Sequence, residues 1–339
     1  MCLLAAAQAL RVERESVPRD ALFVRGGRSE APQLICHNEA QATMVNRLRD
    51  DAGFVAALDQ SGGSTPKALE SYGVPKEAYG SEDEMFDVVH EMRERIVTSD
   101  AFDGRVLAAI LFEMTMDRTF GGLPAPEYLW KRKGVVPLLK CDLGLEAEDN
   151  GCQRMRPLPD LEATLARARG LGVAGTKMRS RILAADEAGI RAVVAQQFAY
   201  AKRILACGLV PIVEPEVDVA CPDKARAEEM LLNALHEALH ELGDHEAVML
   251  KLTLPDLDGL YGSCVAHPNC LRVLALSGGY ARDEANAKLK RNPGVVASFS
   301  RALMEGATRD MTDAAFDAHL EAAVASILDA STNKVDEEA

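Results

Sequence analysis

The sequence predicts an α/β fold, a (β/α)8 TIM barrel that forms a single domain. From Phe54 onward, short apolar runs alternate with longer segments of helical periodicity. Most of the apolar runs lack a polar face, which is typical of strands buried on both sides of a parallel sheet. The strand–helix unit occurs eight times, which favours closure into a barrel, and 339 residues are compatible with one such domain.

The predicted strands are short apolar runs bounded by polar or turn residues. In chain order they span residues 54–59, 106–113, 135–142, 174–179, 209–217, 247–254, 271–277 and 295–300. Helical periodicity predicts helices at 161–170, 187–207, 224–242, 282–291 and 313–328. No stretch rich in proline, glycine or serine divides this region. Residues 44–334 are therefore predicted to form the barrel, with 335–339 as a short tail.

The first 43 residues differ in composition from the barrel region. Residues 1–10 are apolar without a basic start, and residues 11–28 are highly charged. Arginines suit a transit peptide, but the acidic residues among them do not. Met44 resembles a natural start, so residues 1–43 are predicted to be a disordered tail or the product of an upstream start. An organellar role for this extension stays open.

Composition and net charge limit which classes of partner and which compartment are expected. A net charge of −14 and a pI of about 5.1 argue against nucleic acid, although a small cationic pocket can still bind an anion. No apolar run approaches the roughly 20 residues of a membrane span. The eight cysteines include no C-x-x-C pair, which favours reduced thiols and a cytoplasmic location.

Polar residues gather at the predicted C-terminal ends of the strands, where barrel enzymes carry their chemistry. In strand order they are Asp59, Lys140 and Asp142, Lys177 and Arg179, Glu214 and Glu216, Lys251, Ser277 with Gly278 and Gly279, and Arg301. The sequence therefore predicts a charged site at this end of the barrel.

Lys251 lies in the middle of an apolar strand. Side chains alternate along a strand, so Lys251 shares a face with Met249 and Thr253. An ammonium group is costly to bury there unless it is paired or loses its proton. A neutral lysine can attack a carbonyl and form a Schiff base. The alternative is a structural lysine paired with a carboxylate.

Three of the charged residues occupy neighbouring strands. Such strands lie about 4.8 Å apart, so Lys177, Glu214 and Lys251 are expected to meet. Lys177 would favour the neutral form of Lys251, and Glu214 would move protons as the imine forms. Asp59, on the far side, would take a proton from a substrate hydroxyl. The alternative is a salt-bridged core without reactivity, but charges of both signs at the functional end favour catalysis.

Two glycine turns predict oxyanion binding. Ser61-Gly-Gly-Ser64 and Ser277-Gly-Gly279 offer backbone N–H groups and hydroxyls, and Arg301 adds a bidentate phosphate partner. Each turn alone is weak evidence, because Gly-Gly pairs commonly mark ordinary turns. At opposite sides of one barrel mouth, they predict a substrate with two phosphates.

Six segments carry a family resemblance. They are Ala57-Leu-Asp-Gln-Ser-Gly-Gly-Ser-Thr65, Gly175-Thr-Lys-Met-Arg179, Val210-Pro-Ile-Val-Glu-Pro-Glu216, Met249-Leu-Lys-Leu252, Leu276-Ser-Gly-Gly279 and Ala297-Ser-Phe-Ser-Arg301. In this order they resemble the class I fructose-1,6-bisphosphate aldolases, in the shorter, bacterial-type form. The resemblance covers residues 44–334. It implies a barrel with no metal or other cofactor, and reversible Schiff-base cleavage of fructose-1,6-bisphosphate to dihydroxyacetone phosphate and glyceraldehyde-3-phosphate in glycolysis and gluconeogenesis.

The resemblance also implies roles for individual residues. Lys251 matches the imine lysine, Glu214 the principal acid/base and Asp59 the aspartate that handles the hydroxyl proton. Lys177 matches the lysine that tunes the site, with Glu216 in support. The residues matched to substrate binding are Ser277, Gly278, Gly279 and Arg301 at one phosphate, Ser61, Ser64 and Lys140 near the other, and Arg179. Family members are often oligomeric, so a homo-oligomer is expected.

The C-terminus departs from part of the family. The animal and plant enzymes end in a mobile tyrosine tail that helps proton exchange. This chain ends Asn333-Lys-Val-Asp-Glu-Glu-Ala339, so that role is absent or met by another group.

Three alternatives remain. His236-Glu-Ala-Leu-His240 matches the H-E-x-x-H zinc-protease pattern, but an outer helix of a barrel is predicted to be a solvated face. A zinc-dependent class II aldolase is disfavoured because the predicted strand ends carry no histidine. A Schiff-base aldolase for another sugar phosphate is the runner-up. A sugar-phosphate sensor or scaffold is disfavoured, because binding alone needs no reactive lysine.

Overall fold

The computed structural model describes residues 22–24, 34–36, 38–61 and 63–335. Its main sheet contains eight parallel strands that pair in chain order. They are β1 Phe54–Leu58, β2 Val106–Leu111, β3 Val136–Lys140, β4 Gly175–Ile182, β5 Val210–Val217, β6 Val248–Thr253, β7 Cys270–Leu276 and β8 Val295–Phe299. Strand β8 pairs with β1, which closes the barrel. All eight predicted strands are confirmed.

Helices occupy the connections between the strands. They are α1 Glu39–Asp50, α2 Thr65–Ser71, α3 Glu82–Thr98, α4 Glu113–Met116, α5 Ala125–Tyr128, α6 Leu161–Gly170, α7 Glu187–Ala206, α8 Lys224–His240, α9 Gly262–Ala266, α10 Arg282–Lys290, α11 Arg301–Met304 and α12 Asp313–Thr332. Single turns of 3-10 and π helix lie at Lys76–Ala78 and Leu129–Lys133. The five predicted helices are α6, α7, α8, α10 and α12, and all are present. The longest extension is in α12, which continues past residue 328 to Thr332.

Several small strands decorate the barrel. Leu22–Val24 pairs antiparallel with Leu34–Cys36, and Thr119–Phe120 pairs antiparallel with Leu123–Pro124. Cys152–Gln153 pairs antiparallel with the C-terminal end of β4.

Alternation along the strands divides the apolar residues into two layers. Val55 and Ala57 of β1 and Ile212 of β5 belong to an inner cluster. Phe54 and Val213, their neighbours in sequence, belong to an outer cluster that the helices cover. Since each strand is buried on both faces, near-continuous apolar runs are the pattern that this fold requires. The charged site residues are exceptions, and they continue the inner face at its C-terminal end.

The sequence boundary at Met44 is displaced in the structure. Met44 lies inside α1, which Asn38 caps through a 2.8 Å hydrogen bond from Gln41 N. Leu34 and Cys36 are 4% and 1% exposed and pack in the inner cluster. Residues 34–36 and 38–43 are therefore part of the folded domain, because they cover apolar surface at the N-terminal end of the barrel. Residues 1–21, 25–33, 37 and 62, and the tail residues 336–339, lie outside the described residues. Gly62 belongs to the predicted Ser61–Ser64 turn.

No helix in the described ranges has the length and apolar composition needed to cross a membrane.

Removal of residues 34–43, which cover the N-terminal end of the barrel, should destabilise it. A chain that begins at Met44 lacks the buried Leu34 and Cys36 and the Asn38 cap, whereas one that begins at Gln33 retains them. Loss of one buried leucine costs about 2–5 kcal/mol, and 1 kcal/mol shifts the midpoint of a large domain by about 2 °C. The Met44 chain should melt about 4 °C or more below the Gln33 chain by circular dichroism. Equal melting temperatures would show that this segment contributes no stability.

Candidate active site

Four buried charged residues meet in the barrel mouth. Lys177 Nζ of β4 lies 2.6 Å from Asp59 Oδ2 and 2.9 Å from Glu214 Oε2. All three residues are at most 8% exposed. Asp59 follows β1, so this contact crosses the barrel interior, where Ala57 and Ala108 leave room for the long lysine. The sequence analysis placed Asp59 on the far side of the site; in the structure it contacts Lys177 directly.

Lys251 joins this group through Glu214. Its Nζ lies 2.9 Å from Glu214 Oε1, and the residue is 4% exposed. The register pairs Ile212 of β5 with Met249 of β6, so the next inward positions, Glu214 and Lys251, lie at one level. The predicted meeting of Lys177, Glu214 and Lys251 is therefore present. We name Asp59, Lys177, Glu214 and Lys251 the charge quartet.

The charged groups of the quartet influence one another's pKa values. Burial alone would raise the pKa values of Asp59 and Glu214, but the positive charges of Lys177 and Lys251 outweigh it and hold both below the ordinary range. Burial would likewise lower the pKa of Lys177, but the carboxylates of Asp59 and Glu214 outweigh it and raise that pKa. Asp59, Glu214 and Lys177 are therefore charged at neutral pH.

The backbone of Glu214 bonds a side chain behind the strand, and its carboxylate faces the two lysines. Its backbone N–H donates a 2.8 Å hydrogen bond to the side chain of Gln197, which lies fully buried on α7. Its Oε2 makes no aligned hydrogen bond with any described residue, although Lys177 lies at ion-pair distance. The Oε2 atom therefore faces the Lys177 ammonium, while Oε1 faces Lys251.

A second ring of ion pairs surrounds the quartet. Lys140 Nζ lies 2.7 Å from Asp142 Oδ1, and Asp142 Oδ2 accepts a 3.3 Å bond from the backbone N–H of Arg179. Arg179 Nε lies 2.5 Å from Glu216 Oε2, and this carboxylate helps to raise the pKa of Arg179 against the effect of burial. Glu216 is thus paired with Arg179, whereas the sequence analysis placed it in support of Lys177.

The turn after β7 is shaped for close approach to an anion. Gly278 has φ +62°, and a Cβ there would lie 2.5 Å from Val219 Cγ1. Gly279 has φ +122°, and a Cβ there would lie 3.5 Å from Arg301 Nη2. Both positions therefore require glycine. Arg301 is exposed against this turn and Ser277 is 6% exposed, so the structure brings the predicted residues of this phosphate site together.

The turn after β1 lies across the mouth. Ser61 O accepts hydrogen bonds of 2.8 Å from Ser64 N and 2.9 Å from Thr65 N, which closes the turn at the start of α2. Ser61, Gly63 and Lys140 line a cavity of about 610 Å³ together with Asp142. Ser64 is exposed at the rim.

Sequence analysis missed four uncharged side chains, two of them half-buried, and one buried arginine at the barrel mouth. They are Gln60, Thr115, Gln197, Ser300 and Arg93, and each forms a hydrogen bond within the mouth or directly behind it. A signal was present for two of them. Arg93 and Gln197 interrupt the buried faces of α3 and α7, and a polar residue in an apolar stripe indicates a specific partner.

The H-E-x-x-H pattern lies outside the mouth. The rings of His236 and His240 are grouped with that of His267, with centroids 4.7–6.2 Å apart. Glu237, the glutamate of the pattern, pairs with Arg191 on α7. Among the residues that the structure describes, no group of three side chains is arranged to hold a metal ion.

A buried lysine and a second lysine, held by two carboxylates between two glycine turns, define a barrel enzyme of the imine-forming type that acts on an anionic substrate. Comparison with known proteins narrows this class. The class 1 fructose-bisphosphate aldolase of Synechocystis sp. is 52% identical over 294 residues, 86% of this chain and 98% of the relative. That of Porphyromonas gingivalis is 52% identical over 288 residues, 85% and 98% of the two chains. The chain belongs to the class 1 fructose-bisphosphate aldolase family.

Solved structures support the fold. Fructose-bisphosphate aldolase from Plasmodium falciparum matches with a TM-score of 0.74 at 20% identity, covering 91% of this chain and 99% of that chain. Cgl0159 from Corynebacterium glutamicum matches with a TM-score of 0.53 at 15% identity, covering 85% and 92%. No family model matches the sequence.

The mutual dependence of the quartet's charges can be measured. In Lys177→Met, Asp59 loses its closest cation, and breaking a buried pair in this way costs about 3–5 kcal/mol. Asp59→Asn in that background removes the uncompensated charge and should recover more than half of the lost unfolding free energy. Urea unfolding of wild type, both single variants and the double variant gives the coupling. Additive losses would contradict the ion-pair account.

Proposed function

We propose that this protein catalyses the reversible cleavage of fructose-1,6-bisphosphate to dihydroxyacetone phosphate and glyceraldehyde-3-phosphate, through a Schiff base on Lys251. The observation that carries the residue assignment is the contact of the buried Lys251 with Glu214, which itself contacts Lys177. The names of both relatives support the reaction. Its products are intermediates of glycolysis and gluconeogenesis.

Imine formation uses Lys251 and Glu214. Lys251 passes a proton to Glu214, and its neutral amine attacks the C2 carbonyl of the open-chain sugar. The resulting carbinolamine loses its hydroxyl as water, with the proton supplied by Glu214. The product is a protonated imine, whose positive charge replaces that of the lysine beside the Glu214 carboxylate. The 2.9 Å contact between Lys251 Nζ and Glu214 Oε1 supports this role.

Carbon–carbon cleavage uses Asp59. Its carboxylate takes the proton of the C4 hydroxyl, the C4 oxygen becomes an aldehyde, and the C3–C4 electron pair moves into the imine to form an enamine. Glyceraldehyde-3-phosphate then leaves, a proton is added at C3, and water hydrolyses the imine to release dihydroxyacetone phosphate and free Lys251. The low pKa of Asp59 supports the ionised form that this step needs.

Lys177 acts electrostatically in these steps. It remains charged and balances the carboxylates of Asp59 and Glu214. Glu216 contributes indirectly, because it orients Arg179 at the rim.

Substrate binding uses the two glycine turns. Ser277, Gly278, Gly279 and Arg301 bind one phosphate, while Ser61, Ser64 and Lys140 bind the other. Backbone N–H groups at a glycine turn, hydroxyls and fixed cations are the groups that bind phosphate oxygens. The quartet has equal numbers of positive and negative groups, so the attraction of a bisphosphate comes from Lys140, Arg179 and Arg301 at the rim.

We also propose a homo-oligomer and a cytoplasmic location. The described cysteines support a reducing compartment, because most of their thiols are buried. Light scattering that finds only monomer at micromolar concentration would rule out the oligomer.

Cleavage of fructose-1,6-bisphosphate should persist in EDTA, because the strand ends supply lysines and carboxylates rather than histidine ligands. A coupled assay of glyceraldehyde-3-phosphate release measures this, with an excess of EDTA over any metal carried through purification. Loss of activity in EDTA and recovery with zinc would contradict the Schiff-base mechanism. Activity on a different sugar phosphate alone would favour the runner-up aldolase, and binding without cleavage would favour the sensor.

A further inference from the structure

Arg93 is a buried cation for which the proposed mechanism has no role. It lies on α3, is 1% exposed, and is among the largest fully buried side chains of the described residues. Its Nη1 donates 2.7 Å to Thr115 Oγ1, and its Nη2 donates 2.5 Å to Gln60 O and 3.2 Å to Gln60 Oε1. All three acceptors are uncharged. A buried guanidinium is costly, so its position directly behind the β1 turn requires an explanation.

The bonds of Arg93 orient the amide of Gln60. A guanidinium only donates hydrogen bonds, so the atom of Gln60 that faces Arg93 must be its carbonyl oxygen. The amide nitrogen of Gln60 then points to the other side, where it donates 2.6 Å to Ser300 Oγ. Arg93, Gln60 and Ser300 therefore form one chain of hydrogen bonds. We name it the β1–β8 clasp.

The clasp lies where the barrel wall has few paired residues. The register of β8 on β1 contains two pairs, Ser298 with Val55 and Phe299 with Ala56. Above them, Gln60 stands between Asp59 and Ser61, and Ser300 immediately precedes Arg301. The clasp thus joins the two loops that the proposed function assigns to different phosphates.

The charge of Arg93 strengthens the clasp. Burial lowers its pKa to about 10, while the charge of Asp59 acts to raise it, so the guanidinium stays protonated at neutral pH. Hydrogen bonds from a charged donor are about twice as strong as neutral ones. A lysine could carry the charge, but a single ammonium cannot reproduce the fork that binds Thr115 and Gln60 together.

We propose that Arg93 is a positioning residue that, through Gln60 and Ser300, sets the separation of the Ser61–Ser64 turn and the Arg301 turn. By this means it makes the site selective for a sugar that carries phosphates at both ends. The inference rests on the proposed function and deepens it. A substrate with one phosphate does not need to reach both turns, so its cleavage depends little on their separation.

The test compares fructose-1,6-bisphosphate with fructose-1-phosphate in Arg93→Lys and Ser300→Ala. Active sites are first counted by borohydride trapping with dihydroxyacetone phosphate, which removes differences in folding yield. The ratio of kcat/KM for the two substrates should fall about tenfold in both variants, mainly through KM for the bisphosphate. This is about the scale of one lost hydrogen bond. Ser300 is half-buried at the end of the clasp, so its variant tests the proposal even where Arg93→Lys folds poorly.

Thr115→Val is the matched control. It removes a hydrogen bond from the same guanidinium but leaves both bonds to Gln60 in place, so the substrate ratio should stay within about twofold of wild type. An unchanged ratio in Arg93→Lys and Ser300→Ala, or an equal fall in Thr115→Val, would overturn the positioning role. Failure of the proposed function has a different signature, because wild type would then cleave neither substrate.

Discussion

The ion pairs of Lys177 with Asp59 and Glu214 are the interaction on which the rest of the structure depends. They join the ends of β1, β4 and β5 across the barrel interior. Two carboxylates in so dry a place would repel each other and lose their hydration, and the single ammonium between them offsets both costs. Lys251 is placed by the same arrangement, because Glu214 contacts one lysine with each oxygen. The same ion pairs thus determine both the catalytic geometry and the stability of the barrel mouth.

The ion pairs and turns around the quartet extend this arrangement of charges. The quartet is balanced in charge, and so is the next ring, in which Lys140 pairs with Asp142 and Arg179 with Glu216. The proposed phosphate-binding cations are Lys140 and Arg179 of this ring and Arg301, which lies exposed beside the glycines of the turn after β7. The barrel supplies the framework for all of this, since the C-terminal ends of eight strands present their side chains to one point. Behind the mouth, the buried Gln197 and Arg93 hold the strand ends through hydrogen bonds to Glu214 and Gln60.

Much of this could be predicted from sequence, because it follows from periodicity. Buried parallel strands read as apolar runs, and alternation placed Lys251 on one face with Met249, which packs in the inner cluster. Neighbouring strands were enough to bring Lys177, Glu214 and Lys251 together. The contact of Lys177 with Asp59 could not be found in this way, because it crosses the barrel and depends on how small the residues inside it are. The partner of Glu216 depends on side-chain direction, and the clasp of Arg93 depends on the packing of α3. Composition predicts a tail before Met44, and the boundary of the domain stays a prediction; among the residues described there, Leu34 and Cys36 bury apolar side chains.

The most direct test of this account is to locate the imine. Borohydride added with dihydroxyacetone phosphate should reduce the Schiff base to a stable secondary amine, and peptide mass mapping should place it on Lys251. Lys177 is the chemical rival, since both ammonium groups contact Glu214. The account predicts no adduct and no turnover in Lys251→Ala, and a reduced but detectable adduct on Lys251 in Lys177→Ala. An adduct on Lys177 in the wild type would reverse the two roles and contradict the assignment.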